Sequence, residues 1–197
     1  MPRLVSAASW GLMFKFFRGK SGHDDAVMAL YSAAVGQARA QVFYERFGVA
    51  DTPDGRFDMI MLHVYLLLRR LKDEGRAGKV QSQALFDLMF DDMDQNLREM
   101  GAGDIGVSYR IKDMAKAFYG RIAAYDSGLA AAGDDELAAA LQRNLYRKTD
   151  ASSDEIAMMA SYVRTLAATL AGQDTGVLLS GIVEFAQPVL GGEAEHG

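Results

Sequence analysis

The strongest constraint on this chain is the spacing of its apolar residues. From Asp24 to about Gly172 they recur every three or four positions, segment after segment, as on one face of an α-helix. In DDAVMALYSAAVGQARAQVFYERF the residues Val27, Leu30, Tyr31, Ala34, Val35, Ala38, Val42 and Phe43 form one stripe, predicting a long first helix, with Asp24 and Asp25 at the positive end of its dipole. The turn residues Thr52-Pro53-Asp54-Gly55 then lead into RFDMIMLHVYLLLRRLKDEG, apolar nearly all round at its centre and so expected at the core. Gly75 and Gly78 read as punctuation before a helix from Val80 to Met100. Further helices are expected over about Val107–Ala131, over DDELAAALQRNLYR, and over DEIAMMASYVRTLAATLAG. Only GIVEFAQP, near the C-terminus, tolerates an extended conformation. The predicted fold class is all-α: a single-domain bundle of about six to seven helices with glycine-rich links, occupying residues 23–186. A basic leader (1–22) precedes it and a flexible tail (187–197) follows.

Composition narrows the function. Half of the 197 residues are apolar, enough for one substantial core. There is no cysteine, so disulfides, thiolate metal sites and cysteine nucleophiles are excluded, and a reducing, cytoplasmic compartment is the expectation. A net charge of −5 argues against a general nucleic-acid binder, which needs a concentrated basic face. The charge is unevenly spread. Residues 1–22 hold Arg3, Lys15, Arg18 and Lys20 and no acid, which leaves −9 on the rest of the chain. In that leader Trp10, Met13, Phe14 and Phe17 recur at helical spacing beside the cations. Trp10, Phe14, Lys15, Phe17 and Arg18 are therefore candidate contacts to an anionic membrane surface, on which the protein would be peripheral. The alternative is a frayed N-terminus, with Met13 as the true start. The longest strongly apolar run, Met59 to Leu68, is about half the length needed to span a bilayer.

Candidate chemistry is sparse. GAGDIG, Gly101 to Gly106, matches GxGxxG, but the dinucleotide site needs a strand before it and a helix is predicted there. A link in which Gly101 ends one helix and Asp104 starts the next accounts for the same residues. Asp87, Asp91 and Asp94 share a helix face with Arg98. They are either a solvated stripe or a face that grips a basic partner; the predicted helical body offers no ExxH pair to build a carboxylate-bridged metal centre, the one match, Glu193 to His196, falling in the tail. His63 lies in the most apolar helix, either as a core residue bonded to a carbonyl or hydroxyl or as a proton-transfer group. Met89 and Met93 belong to a set of eleven methionines that either fill an irregular core or line an adaptable groove. Neither a GxSxG elbow nor a comparable serine setting exists, so no catalytic residue, metal or cofactor is expected.

The runs DGRFDMIMLHVYLLLRRLK (Asp54 to Lys72) and QALFDLMFDDMDQNLREMGAGDIGVSYRIKDMAKAFYGRIAAYD (Gln83 to Asp126) resemble the ubiquinol–cytochrome c chaperone family in its bacterial form. The blocks FDDMDQNLREMGAGDIGV and FYGR carry most of the likeness, which extends more weakly from about Ala26 to Gly172. The resemblance implies a non-enzymatic helical chaperone in respiratory complex III assembly, with newly made cytochrome b as its membrane-protein client and no cofactor. In mitochondria such proteins act with a small helical partner. On this reading the side between the Phe57–Leu71 and Val80–Met100 helices shelters the client, with Asp87, Asp91, Asp94, Arg98, Met89, Met93 and His63 as candidate contacts. Three other readings compete. They are a lipid- or quinone-binding bundle, a helical enzyme built on His63 and a carboxylate, and an oligomeric scaffold.

Overall fold

The computed structural model describes residues 22–101 and 104–189. The leader residues Trp10, Phe14, Lys15, Phe17 and Arg18, and the tail beyond 189, lie outside the described residues. Eight helical segments occur among the described residues, with no strand: α1 (Gly22–Ala38), α2 (Val42–Glu45), α3 (Pro53–Leu71), α4 (Gly75–Glu99), α5 (Asp104–Ala130), α6 (Asp135–Asn144), α7 (Ser153–Ala171) and α8 (Thr175–Leu179). The all-α, single-domain expectation holds. No described helix is long and apolar enough to cross a membrane.

α3 is the axis of the bundle. Thr52 caps it by accepting from the Gly55 N–H, Pro53 occupies the first turn, and every residue from Asp58 to Leu67 is buried. A helix apolar all round needs neighbours on all sides. α1, α4 and α7 pack against α3, while α5 lies on α4 and α6 joins α5 to α7. Gly128 lets α5 and α6 close together, since a Cβ there would lie 2.6 Å from Leu137 Cα. α7 opens with a capping box: Ser152 Oγ accepts from the Glu155 N–H while the Glu155 carboxylate accepts from the Ser152 N–H. Helix ends are also tied by arginines from elsewhere. Arg164 donates to the carbonyls of Gly128, Leu129 and Ala131 at the end of α5, and Arg70 donates to those of Leu170 and Gln173 after α7. The last carbonyls of a helix lack intrahelical donors, and these guanidiniums supply some of them.

Three boundaries differ from the expectation. The first predicted helix is broken at Arg39–Gln41. The break turns the chain so that Phe43 and Phe47, both fully buried, stack edge to face at 5.5 Å and reach Tyr162 of α7, and Tyr44 Oη donates to the Ala38 carbonyl at 2.6 Å. A continuous helix would carry both rings to the side away from the buried Leu30, Ala34 and Ala38. Secondly, α4 begins at Gly75, which has φ +63°, and runs through Gly78. Gly78 is not a breaker; a Cβ at that position would meet the Leu71 carbonyl oxygen at 2.3 Å, so its role is close approach of α4 to the end of α3. Thirdly, α8 carries too short an apolar pattern to be legible. Beyond it the segment after Gly181 forms neither helix nor strand and is held down: Gln173 accepts from the Glu184 N–H and donates to its carbonyl, and Gln37 donates to the Ala186 carbonyl.

Candidate functional site

At their centres α3 and α4 pack against each other. Met89 and Met93 are fully buried and belong to the same core cluster as Met59, Leu62 and Leu66. They do not present themselves to a partner, because their helical spacing places them on the face of α4 that turns inward. His63 is likewise fully buried, and its geometry assigns its tautomer. Nδ1–H donates to the Met59 carbonyl at 2.8 Å, so Nε2 accepts from Tyr162 Oη–H at 2.8 Å, and that oxygen accepts from Gln37 Nε2 at 3.0 Å. Burial lowers its pKa to about 4, partly offset by the Met59 carbonyl, so the ring is neutral at neutral pH. Of the two roles His63 might fill, the core one describes it: both ring nitrogens are occupied and the Phe43 and Phe185 rings enclose it.

The acidic stripe is at the surface. Asp87 and Asp91 are exposed, Asp87 accepts from Gln83, and Asp94 pairs with Arg98 one turn on. Burial, then the charges of Asp87 and Asp94, push the Asp91 carboxyl up. Asp92 turns away from the stripe and accepts from Tyr31 Oη at 2.7 Å, joining α4 to α1. The GxGxxG segment follows α4 rather than a strand, and Gly101 takes φ +88° directly after it.

Open space exists at one end of the bundle. A cleft of about 1130 Å³ lies between the start of α3, the end of α4, the first half of α5 and the segment after α6. Phe57, Met61, Leu97, Met100 and Met114 give it an apolar surface, with Met100 55 % exposed. Its methionines thus divide the two roles weighed for them: Met61 belongs to the core and the cleft wall at once, Met114 is half-buried against the core, and Met100 is exposed.

Charged groups line the inner end of this cleft. Asp58, on α3, is 5 % exposed; Arg121, on α5, is 8 % exposed and donates through Nη1 to Asp58 Oδ1 at 2.7 Å. Arg147 donates to both oxygens of Asp58, at 3.3 and 3.0 Å. Burial pushes the Asp58 carboxyl above its ordinary range, and Arg121 and Arg147 offset this only in part. At the rim, Lys148 pairs with Asp54 and holds that carboxyl below its ordinary range. Arg121 was detectable in the sequence. Val107, Met114, Phe118 and Tyr125 mark the inward face of α5, and Arg121 falls on that face, as Asp58 falls within the all-apolar stretch of α3. Two opposite charges at inward positions of two helices predict a pair. Arg147 closes the segment DDELAAALQRNLYR but lies beyond the end of α6, and nothing in that segment marked it as a partner of Asp58.

These features define a class: an all-α bundle with an open cleft, part methionine and part charge, at one end. A family model described as ubiquinol-cytochrome C chaperone matches residues 45–185. The chain belongs to that family. It is 33 % identical over 161 residues to ubiquinol-cytochrome-c reductase complex assembly factor 1 of Xenopus laevis, covering 80 % of this chain and 79 % of that protein. To the corresponding factor of Mus musculus it is 30 % identical over 139 residues, 71 % of this chain but 47 % of the relative, so it spans about half of the mouse protein's length. Among solved structures, the Cbp3 homologue from Brucella abortus superposes with a TM-score of 0.77 at 35 % identity, covering 89 % of this chain and 97 % of the other. The family expectation drawn from Asp54 to Lys72 and Gln83 to Asp126 therefore holds, and with it the coarse role of a chaperone in assembly of ubiquinol–cytochrome c reductase.

Proposed function

We propose that this chain acts without catalysis, holding an apolar segment of newly made cytochrome b in the cleft until neighbouring parts of the complex cover it. The observation that carries this reading is the cleft itself: about 1130 Å³, open to solvent, with Phe57, Met61, Met100 and Met114 along its walls. Unbranched, polarizable methionines repack at little cost around varied apolar sequences, which suits a client that must later be released. A lipid or quinone calls for an enclosed cavity, and this one is open, which favours a polypeptide. The relatives' names add the setting, since they are assembly factors of the ubiquinol–cytochrome c reductase complex.

Two surface features have subsidiary roles in this proposal. The Asp87, Asp91 and Asp94 stripe faces solvent and suits the basic loops that flank membrane segments on the cytoplasmic side. The leader residues Trp10, Phe14, Lys15, Phe17 and Arg18 provide the contact to the inner membrane surface.

The test is site-specific photocrosslinking in cells, with the reactive residue at Met100 or Met114, and at Arg143 on α6 as a control outside the cleft. Cytochrome b captured from the two cleft positions but not from Arg143 supports the reading. Capture at equal yield from all three sites, or no cytochrome b at all, overturns it. Reversing Asp87, Asp91 and Asp94 to Lys should lower that yield; an unchanged yield removes the acidic stripe from the contact.

A further inference from the structure

The inner end of the cleft holds more positive charge than the fold uses. Asp58 is one carboxylate clasped by two guanidiniums, those of Arg121 and Arg147, so the trio carries a surplus of one positive charge at the back of an apolar-walled space. The other charges of the lining offset one another: Asp54 pairs with Lys148, and Arg110 on α5 is matched in number by Asp113. Both oxygens of Asp58 are engaged. Arg121 uses only Nη1 and Arg147 only Nη2, which leaves Nε and Nη2 of Arg121, and Nε and Nη1 of Arg147, donating to no protein group. A buried arginine with one shared counter-ion and idle planar donors is an incomplete pair. Arg147 enters from the rim with its side chain 39 % exposed, so an incoming group can reach it without disturbing Arg121, whose side chain is 9 % exposed.

Resting on the reading of the cleft as the client site, we propose that the Arg121–Asp58–Arg147 trio is a seat for a carboxylate: it receives an Asp or Glu side chain carried within an apolar segment of the client. The chemistry of the two walls requires both properties of the occupant at once, an apolar body against Phe57, Met61 and Met114 and one negative group against the guanidiniums. An acid inside an apolar segment costs several kcal/mol to leave unpaired away from water, and it has no partner until its own complex is built. The seat supplies one during that interval. Because the surplus is a single charge, one carboxylate neutralises it and a second is repelled by Asp58 and Asp54. The cleft therefore selects singly acidic apolar segments over uncharged or basic ones.

The test uses the full chain and labelled peptides of about 15 residues tiled along the cytochrome b sequence of the same source. Each apolar peptide with one Asp or Glu is also made as its Asn or Gln twin. Binding is followed by fluorescence anisotropy. At least one acidic tile is expected to bind ten-fold or more tightly than its amide twin, with the ratio falling below three in Arg147→Gln and recovering in Arg147→Lys. Thermal melts show that both variants remain folded. If tiles bind but twins bind alike, or if Arg147→Gln keeps the ten-fold ratio, the seat is wrong and the cleft reading survives. If no tile binds, the cleft reading itself fails. Vesicles of phosphatidylcholine with and without phosphatidylglycerol give the last outcome. Binding of the anionic vesicles, weakened by Arg147→Gln and with no tile bound, makes the occupant a lipid headgroup and overturns the polypeptide proposal.

Discussion

Replacing His63 by Gln tests the core more searchingly than any surface change. In the folded chain the ring is fully buried, its Nδ1–H is committed to the Met59 carbonyl and its Nε2 to the Tyr162 hydroxyl, and no carboxylate contacts it. A proton added there is an uncompensated buried charge, which is why burial lowers the folded pKa to about 4. In the unfolded chain the same group titrates near 6.5. Between these values the unfolded state binds more protons, so stability is fully present above about pH 6.5 and is lost as pH falls towards 4. With these two constants the loss from about pH 7.5 to about pH 4.5 is about 2.5 kcal/mol, equivalent to roughly 5–10 °C in melting temperature for a chain of this size. Carboxylates also titrate in this range, but they do so in wild type and variant alike. The measurement is therefore a difference: urea unfolding of wild type and His63→Gln at the two pH values. The variant is expected to be less stable at pH 7.5 through loss of the ring's fit, yet to lose about 2.5 kcal/mol less than wild type on acidification. Equal losses in the two proteins, within about 0.5 kcal/mol, would show that His63 is not held neutral by burial and would refute the reasoning.

Three further outcomes follow from the packing. Asp58→Asn leaves Arg121 and Arg147 facing each other without a counter-charge and should cost about 3 kcal/mol by denaturant unfolding, whereas Asp54→Asn, which loosens a rim pair with Lys148, should cost under about 1 kcal/mol; equal costs would contradict the burial difference. Gly78→Ala sets a methyl 2.3 Å from the Leu71 carbonyl oxygen and should destabilise by at least about 2 kcal/mol, although alanine is the better helix former; a gain in melting temperature would refute the close approach. Ser152→Ala removes half of the capping box of α7 and should cost about 1 kcal/mol, seen also as faster amide exchange in the first turn of that helix.

Helices were legible wherever one face is buried, because burial writes a three- and four-residue period into the sequence; α4, α5 and α7 are of this kind. The boundaries that failed are those decided by partners far away in the chain. The break at Arg39–Gln41 exists so that Phe43 and Phe47 can meet Tyr162, and a stripe read locally contains no information about a ring more than a hundred residues on. Gly78 reads as a breaker until the end of α3 is placed beside it. The same limit governed the site. Met89, Met93 and His63 stood out by residue type, yet their spacing already placed them on inward faces, and a residue on an inward face of a closed bundle contacts its own chain.

The cleft was illegible for a different reason: it is made of ends. Its walls come from the first turns of α3, the last turn of α4, the first half of α5 and the segment after α6, four stretches that are separate in sequence and meet only after the bundle has formed. What the sequence does carry is the anomaly of Asp58 and Arg121, two charges at positions whose neighbours are apolar. A fold seeking stability alone would gain more from a well-packed apolar pair there. Retaining the charges keeps a donor-rich point at the inner end of a cleft with methionines on its walls, and adding Arg147 from outside gives that point a surplus charge. Stability does not require the surplus; an occupant carrying the complementary charge does.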